Sequence, residues 1–126
     1  MNSNYKIVAA VIGSFVLGAG SVQMLHAQAK PKAYAVVAYH SVSDPEKLAA
    51  YGKLAVSAVT PFGARILARG DAAVAREQGL KERTVLVEYP SLEKAIAAYD
   101  SPAYAEALKV LGDGAKRDFR IVEGVE

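Results

Sequence analysis

The hydrophobic pattern changes period several times along the chain, and each change marks an element. Over residues 33–40 apolar and polar positions alternate among aromatic and β-branched residues, which predicts a strand. Tyr34, Val36, Ala38 and His40 share one face of it, and Ala35, Val37 and Tyr39 the other. The period then lengthens. Leu48, Tyr51, Ala55, Ala58 and Phe62 recur at steps of three and four, the stripe of a helix with one buried face. Asp44 is placed to cap the free N–H groups of its first turn, Pro45 suits the first helical position, and Pro61 and Gly63 end it. Alternation returns over residues 64–70, with Arg65, Leu67 and Arg69 on one side and Ala64, Ile66 and Ala68 on the other.

Residues 71–83 contain Gly79 and many charges, and read as a loop with a short helical turn over 72–78. A third strand follows over 84–89, with Val85, Val87 and Tyr89 facing one way and Thr84, Leu86 and Glu88 the other. Ser91 caps a second helix that buries Leu92, Ala95, Ile96 and Tyr99. It halts near Asp100 and restarts with Ser101 as cap and Pro102 in the first position, placing Tyr104, Ala105, Leu108 and Leu111 inward. Gly112 and Gly114 stop it, and residues 119–123 form a last strand.

The resulting order, β-α-β-β-α-β, is the split arrangement of ferredoxin-like domains. It predicts an α+β fold: a four-stranded antiparallel sheet with two helices on one face. The other face is left partly apolar, a surface suited to a second copy of the chain, and two such sheets face to face make a dimeric α/β barrel.

The N-terminal segment lies outside this pattern. A short polar stretch ending at Lys6 precedes an apolar and small run from Ile7 to Gly20, and Ala27-Gln28-Ala29 has the form of a signal-peptidase site. Residues 1–29 therefore read as an export signal cleaved after Ala29 or Ala27. The stretch from Ile7 to Leu25 also meets the length of a retained membrane anchor. Either reading places the domain, residues 30–126, outside the cytoplasm, periplasmic or secreted in the first case and tethered to the inner membrane in the second.

Composition narrows the chemistry. Of the 15 basic residues only Lys6 falls in the leader, against none of the 13 acidic ones, so the domain is nearly neutral and carries no footprint for nucleic acid. With no cysteine, thiolate catalysis, cysteine-held zinc and iron–sulfur clusters are excluded. His40 is the only histidine beyond the leader, which excludes a multi-histidine metal site within one subunit. No phosphate loop, dinucleotide fingerprint or calcium loop is present, and no cofactor is expected.

Several short motifs occur in a fixed order: Tyr34 on the first strand, Asp44-Pro45, Leu67 with Arg69-Gly70, Val85 with Glu88-Tyr89-Pro90-Ser91, Tyr99 with Ser101 and Tyr104, and Val122-Glu123-Gly124. This combination, spread over residues 33–125, resembles the small bacterial family known as domain of unknown function 1330. The resemblance implies a dimeric α+β barrel of the ferredoxin-like class and no assigned activity. The chain departs from the family pattern at Ala98, where an aromatic residue often stands, and after Gly70, where Asp71-Ala72-Ala73 replaces a glycine-rich loop. The export segment is an addition to the usual short cytoplasmic form.

Two residues are candidate proton carriers. Histidine is the side-chain type whose unperturbed pKa lies near neutrality, which makes His40 the natural general acid or base; a solvated and inert histidine at a strand end is the other reading of its position. Glu88 stands in an otherwise apolar strand, so its carboxylate must be paired, solvated or shifted toward its neutral form. A structural pair with Arg69 or Arg65 is one explanation, and an acid facing a ligand is the other. Arg69 has the planar fork that grips a carboxylate. Tyr34, Tyr99 and Tyr104 combine an apolar body with a hydroxyl, suited to lining a pocket for a small aromatic or carbonyl compound. Three functions follow: an exported homodimeric binder of a small organic molecule in a pocket between sheet and helices, a cofactor-free enzyme acting on a small organic acid or aromatic, and a membrane-tethered interaction module.

Overall fold

The structure, a computed structural model, describes residues 30–126. The leader, its cleavage positions and the alternative anchor lie outside the described residues. Strand β1 (Ala33–Val42) leads into helix α1 (Pro45–Val59) and a short 3-10 turn (Thr60–Phe62). Strands β2 (Arg65–Asp71) and β3 (Arg83–Tyr89) follow, then helices α2 (Leu92–Asp100) and α3 (Pro102–Leu111), and strand β4 (Ala115–Glu123). The strands form one four-stranded sheet in the order β2-β3-β1-β4, with every pairing antiparallel. This is the ferredoxin-like arrangement. The sheet of one chain is open rather than closed into a barrel.

The helix ends are fixed by the residues the sequence offers. The Asp44 carboxylate accepts from the Lys47 N–H at 3.1 Å, and Ser91 Oγ accepts from the Lys94 N–H at 3.2 Å. Ser101 does two jobs at the break between α2 and α3. Its hydroxyl donates to the Ala98 carbonyl at 2.7 Å and accepts from the Tyr104 N–H at 3.2 Å, closing one helix and opening the next. Gly63 leaves the 3-10 turn with φ +84°, and a Cβ there would come within 2.8 Å of the Pro90 ring, so only glycine fits.

The core lies between the sheet and the helices. Ala33, Ala35, Val37 and Tyr39 of β1 are buried, as are Val87 and Tyr89 of β3, Tyr51, Ala58 and Val59 of α1, and Ala95, Ala98, Tyr104, Ala107 and Leu111 of α2 and α3. Many of these side chains are alanines. Helix α1 rests chiefly on α3, while α2 sits against β1, β3 and β4.

Four local expectations are corrected. Ile96 and Leu108 are exposed, and so is Ala105. The inward line of α2 runs through Ala95 and Ala98, and that of α3 through Tyr104, Ala107 and Leu111, because the break at Ser101 resets the helical phase. No helical turn forms over residues 72–78; the loop holds only a turn at Glu77 and Gln78.

The third correction concerns β2. Arg65 pairs with Glu88 and Ile66 with Val87, but the next partner of the ladder is Ala68, opposite Leu86, so Leu67 is an extra residue in a bulge. Beyond it the alternation is inverted. Arg69 pairs with Val85 and shares its helix-side face, whereas Glu88 stands beside Tyr34 on the open face. The fourth correction follows from it: Arg69 and Glu88 do not pair. Glu88 instead accepts from Lys32 at 3.5 Å, with Arg65 across the ladder.

Candidate functional site

Helix α1 leans on α3, and a half-open cleft remains between helix and sheet, lined from α1 by Tyr51, Ala55, Val56 and Val59. It holds about 80 Å³ of free space. A single water occupies roughly 10–15 Å³ on this scale, so a compound of several heavy atoms fits. The walls are Val37, Val85, Val87 and Phe119 from the sheet and Tyr99 from α2. Val56 (42% exposed) and Ile66 (40% exposed) line the cleft while remaining open to solvent, and so mark its apolar mouth.

Its polar groups come from one end of the sheet and from the helices above it. Arg69, Arg83 and Arg117 line the cleft together with Tyr39, Tyr51 and Tyr104. Arg117 Nη1 donates to Tyr51 Oη at 3.0 Å, and the Tyr51 and Tyr104 hydroxyls lie 2.6 Å apart. The Arg117 guanidinium also lies over the rings of Tyr51 (4.9 Å), Phe119 (5.4 Å) and Tyr39 (5.7 Å), and Arg83 lies 5.7 Å from the Tyr39 ring. Since Tyr51 accepts from a cation, its own proton is polarised toward Tyr104, and in that direction the Tyr104 proton is free to point elsewhere.

Burial pushes the Tyr51 hydroxyl far above the ordinary tyrosine range, the neighbouring Tyr104 adds to the effect, and Arg117 opposes it. Burial raises Tyr99 as well, and lifts Tyr89 to about 12. These tyrosines are neutral donors at any physiological pH. Burial alone opposes the Arg117 charge, yet its contacts with Tyr51 and Tyr104 more than offset this and its pKa is raised. Arg83 Nε is sealed from solvent without a hydrogen-bond partner. An unsatisfied buried donor costs about 1–3 kcal/mol.

Arg69, Tyr99 and Tyr104, singled out from sequence, are brought together here. Tyr34, Glu88 and His40 are not: Tyr34 and Glu88 lie side by side on the open sheet face. His40 is the extra residue of a second bulge, in β1, exposed and near enough to Asp118 for its charge to depress that carboxyl, behind the larger effect of the Arg120 hydrogen bond. Tyr39, Tyr51, Arg83 and Arg117 were missed. Arg83 and Arg117 stand just outside the expected strands, but each continues the inward alternation: Arg83, Val85, Val87, Tyr89 and Arg117, Phe119, Ile121. Extending the period-two pattern through a charged residue would have found both.

Fold and cleft together define a ferredoxin-like α+β domain with an arginine- and tyrosine-lined recess under its first helix. Residues 32–125 match the model of one family, "Domain of unknown function (DUF1330)", and the chain belongs to it. Among solved structures, a protein of unknown function from Rhodopseudomonas palustris is 14% identical, with a TM-score of 0.63, covering 85% of this chain and 93% of that one. A hypothetical Arabidopsis thaliana protein is 16% identical, with a TM-score of 0.53, covering 77% of this chain and 90% of its own. A candidate antibiotic biosynthesis monooxygenase from Caulobacter crescentus is 17% identical, with a TM-score of 0.51 and coverage of 78% and 93%. At such identities the likeness is one of fold. No curated protein matches the chain.

Proposed function

We propose that this protein is an exported homodimer that binds a small organic molecule in the cleft between α1 and the sheet. The observation that carries the reading is the stand-off of α1, which leaves apolar walls with a few convergent polar groups at one end, the usual build of a ligand site. Dimerisation is supported by the other face of the sheet, where Tyr34, Val36, Leu86 and Val122 form an apolar strip with Glu88 and Arg65 beside it. Export rests on the order of charged, apolar and small residues before Lys30. The cofactor-free enzyme reading gives proton transfer to His40 or Glu88 and an anionic group to Arg69; Arg69 lines the cleft, whereas His40 and Glu88 do not.

The cleft is tested by filling it. Ala55 lines it from α1, and Ala55→Leu is expected to abolish ligand-induced thermal shifts given by the full chain with small aromatic and aliphatic compounds, while its own Tm holds or rises. Ligand binding undiminished in Ala55→Leu would place the site elsewhere.

A further inference from the structure

Building on the cleft as the binding site, we infer that its ligand is a small organic anion, a carboxylate on an apolar body, read by Arg83 with Arg69 and Tyr104. The lining contains the guanidinium groups of Arg69, Arg83 and Arg117 and no carboxylate. Arg117 is already engaged by Tyr51 and by aromatic faces, so its role is to hold the tyrosine pair. Arg69 and Arg83 have no ion pair among the described residues. Asp71 stands across the ladder from Arg83 in register but belongs to the neighbouring recess over the β2–β3 loop.

Two features point from this charge to a ligand. Arg83 lines the cleft with no side-chain hydrogen bond or ion pair among the described residues; its Nε is sealed, and the Nη edge remains for a carboxylate to take with two parallel hydrogen bonds. The chain Arg117 to Tyr51 to Tyr104 delivers a hydroxyl proton at the same end of the cleft, another donor for an anionic oxygen. No carboxylate lines this end of the cleft; Asp71 lines the neighbouring recess, which Arg69 also borders. Val56 and Ile66 frame an apolar mouth. The ligand therefore lies with its charged group toward Arg83 and its apolar part toward α1.

The test uses the full chain and three matched probes, benzoate, benzamide and benzylammonium, with inorganic phosphate as an anion lacking an apolar body. Calorimetry is expected to show benzoate binding at least about ten-fold more tightly than the others. Arg83→Met is expected to weaken benzoate by about ten-fold or more, and the conservative Arg83→Lys by less, while Arg65→Met on the open face leaves it unchanged. If Arg83→Met does not fold by circular dichroism, Arg69→Met, an exposed position, serves in its place with a smaller loss of several-fold. Benzamide or benzylammonium binding as tightly as benzoate overturns the anion inference and leaves the cleft as the site. Phosphate equalling benzoate removes the requirement for an apolar body. Binding by none of the probes at millimolar concentration overturns inference and site together.

Discussion

The two faces of one sheet carry opposite kinds of chemistry. On the helix side the cleft's charge is all of one sign: Arg117 is held by Tyr39, Tyr51 and Phe119, Arg69 and Arg83 lie beside it, and the tyrosines and Phe119 pack edge to face at centroid distances of 4.8–6.1 Å. On the open side, charge is plentiful and wet. Arg120 grips Asp118 through two hydrogen bonds of 2.8 and 3.0 Å, and Lys32 reaches Glu88 at 3.5 Å, both with solvent at hand. A polar group is worth far more where water is excluded, so the same residue types fix structure on one face and contribute little to it on the other.

The largest contrast lies in truncation. Tyr104 is buried, bonded to Tyr51 and packed on Tyr99, so Tyr104→Ala is expected to cost about 3–5 kcal/mol in urea unfolding. Tyr104→Phe keeps the ring and loses only the hydroxyl bond, about 1 kcal/mol. Val122→Ala, on the half-exposed open face, should fall within about 0.5 kcal/mol at low protein concentration. Comparable losses for Tyr104→Ala and Val122→Ala would erase the distinction between the faces.

Alkaline titration gives a middle-sized effect confined to the helix side. Below about pH 10 the Tyr89 hydroxyl keeps its proton in folded and unfolded chains alike, and it leaves stability flat. Between about 10 and about 12 the unfolded chain loses that proton while the buried one is retained, because burial raises its pKa to about 12. Stability therefore falls as pH rises, by up to about 1.4 kcal/mol per pH unit for this one group, and the fall ends above its folded pKa. Tyr51 and Tyr99, also raised by burial, steepen the slope. Tyr89→Phe should flatten it by one tyrosine's share; an unchanged slope in denaturant titrations at pH 9 to 11 would show that Tyr89 ionises alike in both states.

The parts legible in the sequence are those set by local chemistry. Asp44-Pro45, Ser91 and Ser101-Pro102 start their helices as expected because capping depends on residues within one turn. The order of elements along the chain followed from the alternation of periods. What eluded the sequence depends on register across strands. The extra residue Leu67 is invisible in β2 read alone, since the bulge exists only against Val87 and Leu86 of β3; missing it put Arg69 on the wrong face. A pocket between sheet and helices was expected, but its place under α1 was out of reach for a related reason. It arises from where α1 settles, on α3 rather than flat on the sheet, and no spacing within α1 encodes that choice.

The smallest change in folding energy gives the sharpest test of the open face. Val36 lies mid-strand between Leu86 and Arg120, and it projects away from the helices. In an isolated subunit Val36→Lys trades one exposed side chain for another, and unfolding at low concentration should shift by no more than about 1 kcal/mol, the span of strand preferences. In a dimer packed sheet to sheet, the same lysine sets two unpaired charges into the interface, where desolvation far exceeds the strand term. Sedimentation equilibrium at high concentration should therefore show dimer for the parent and monomer for Val36→Lys, with circular dichroism unchanged. A parent chain that sediments as a folded monomer means that this face is stable in water on its own. Its apolar strip is then small enough, with Glu88, Arg65, Asp118 and Arg120 around it, to need no cover.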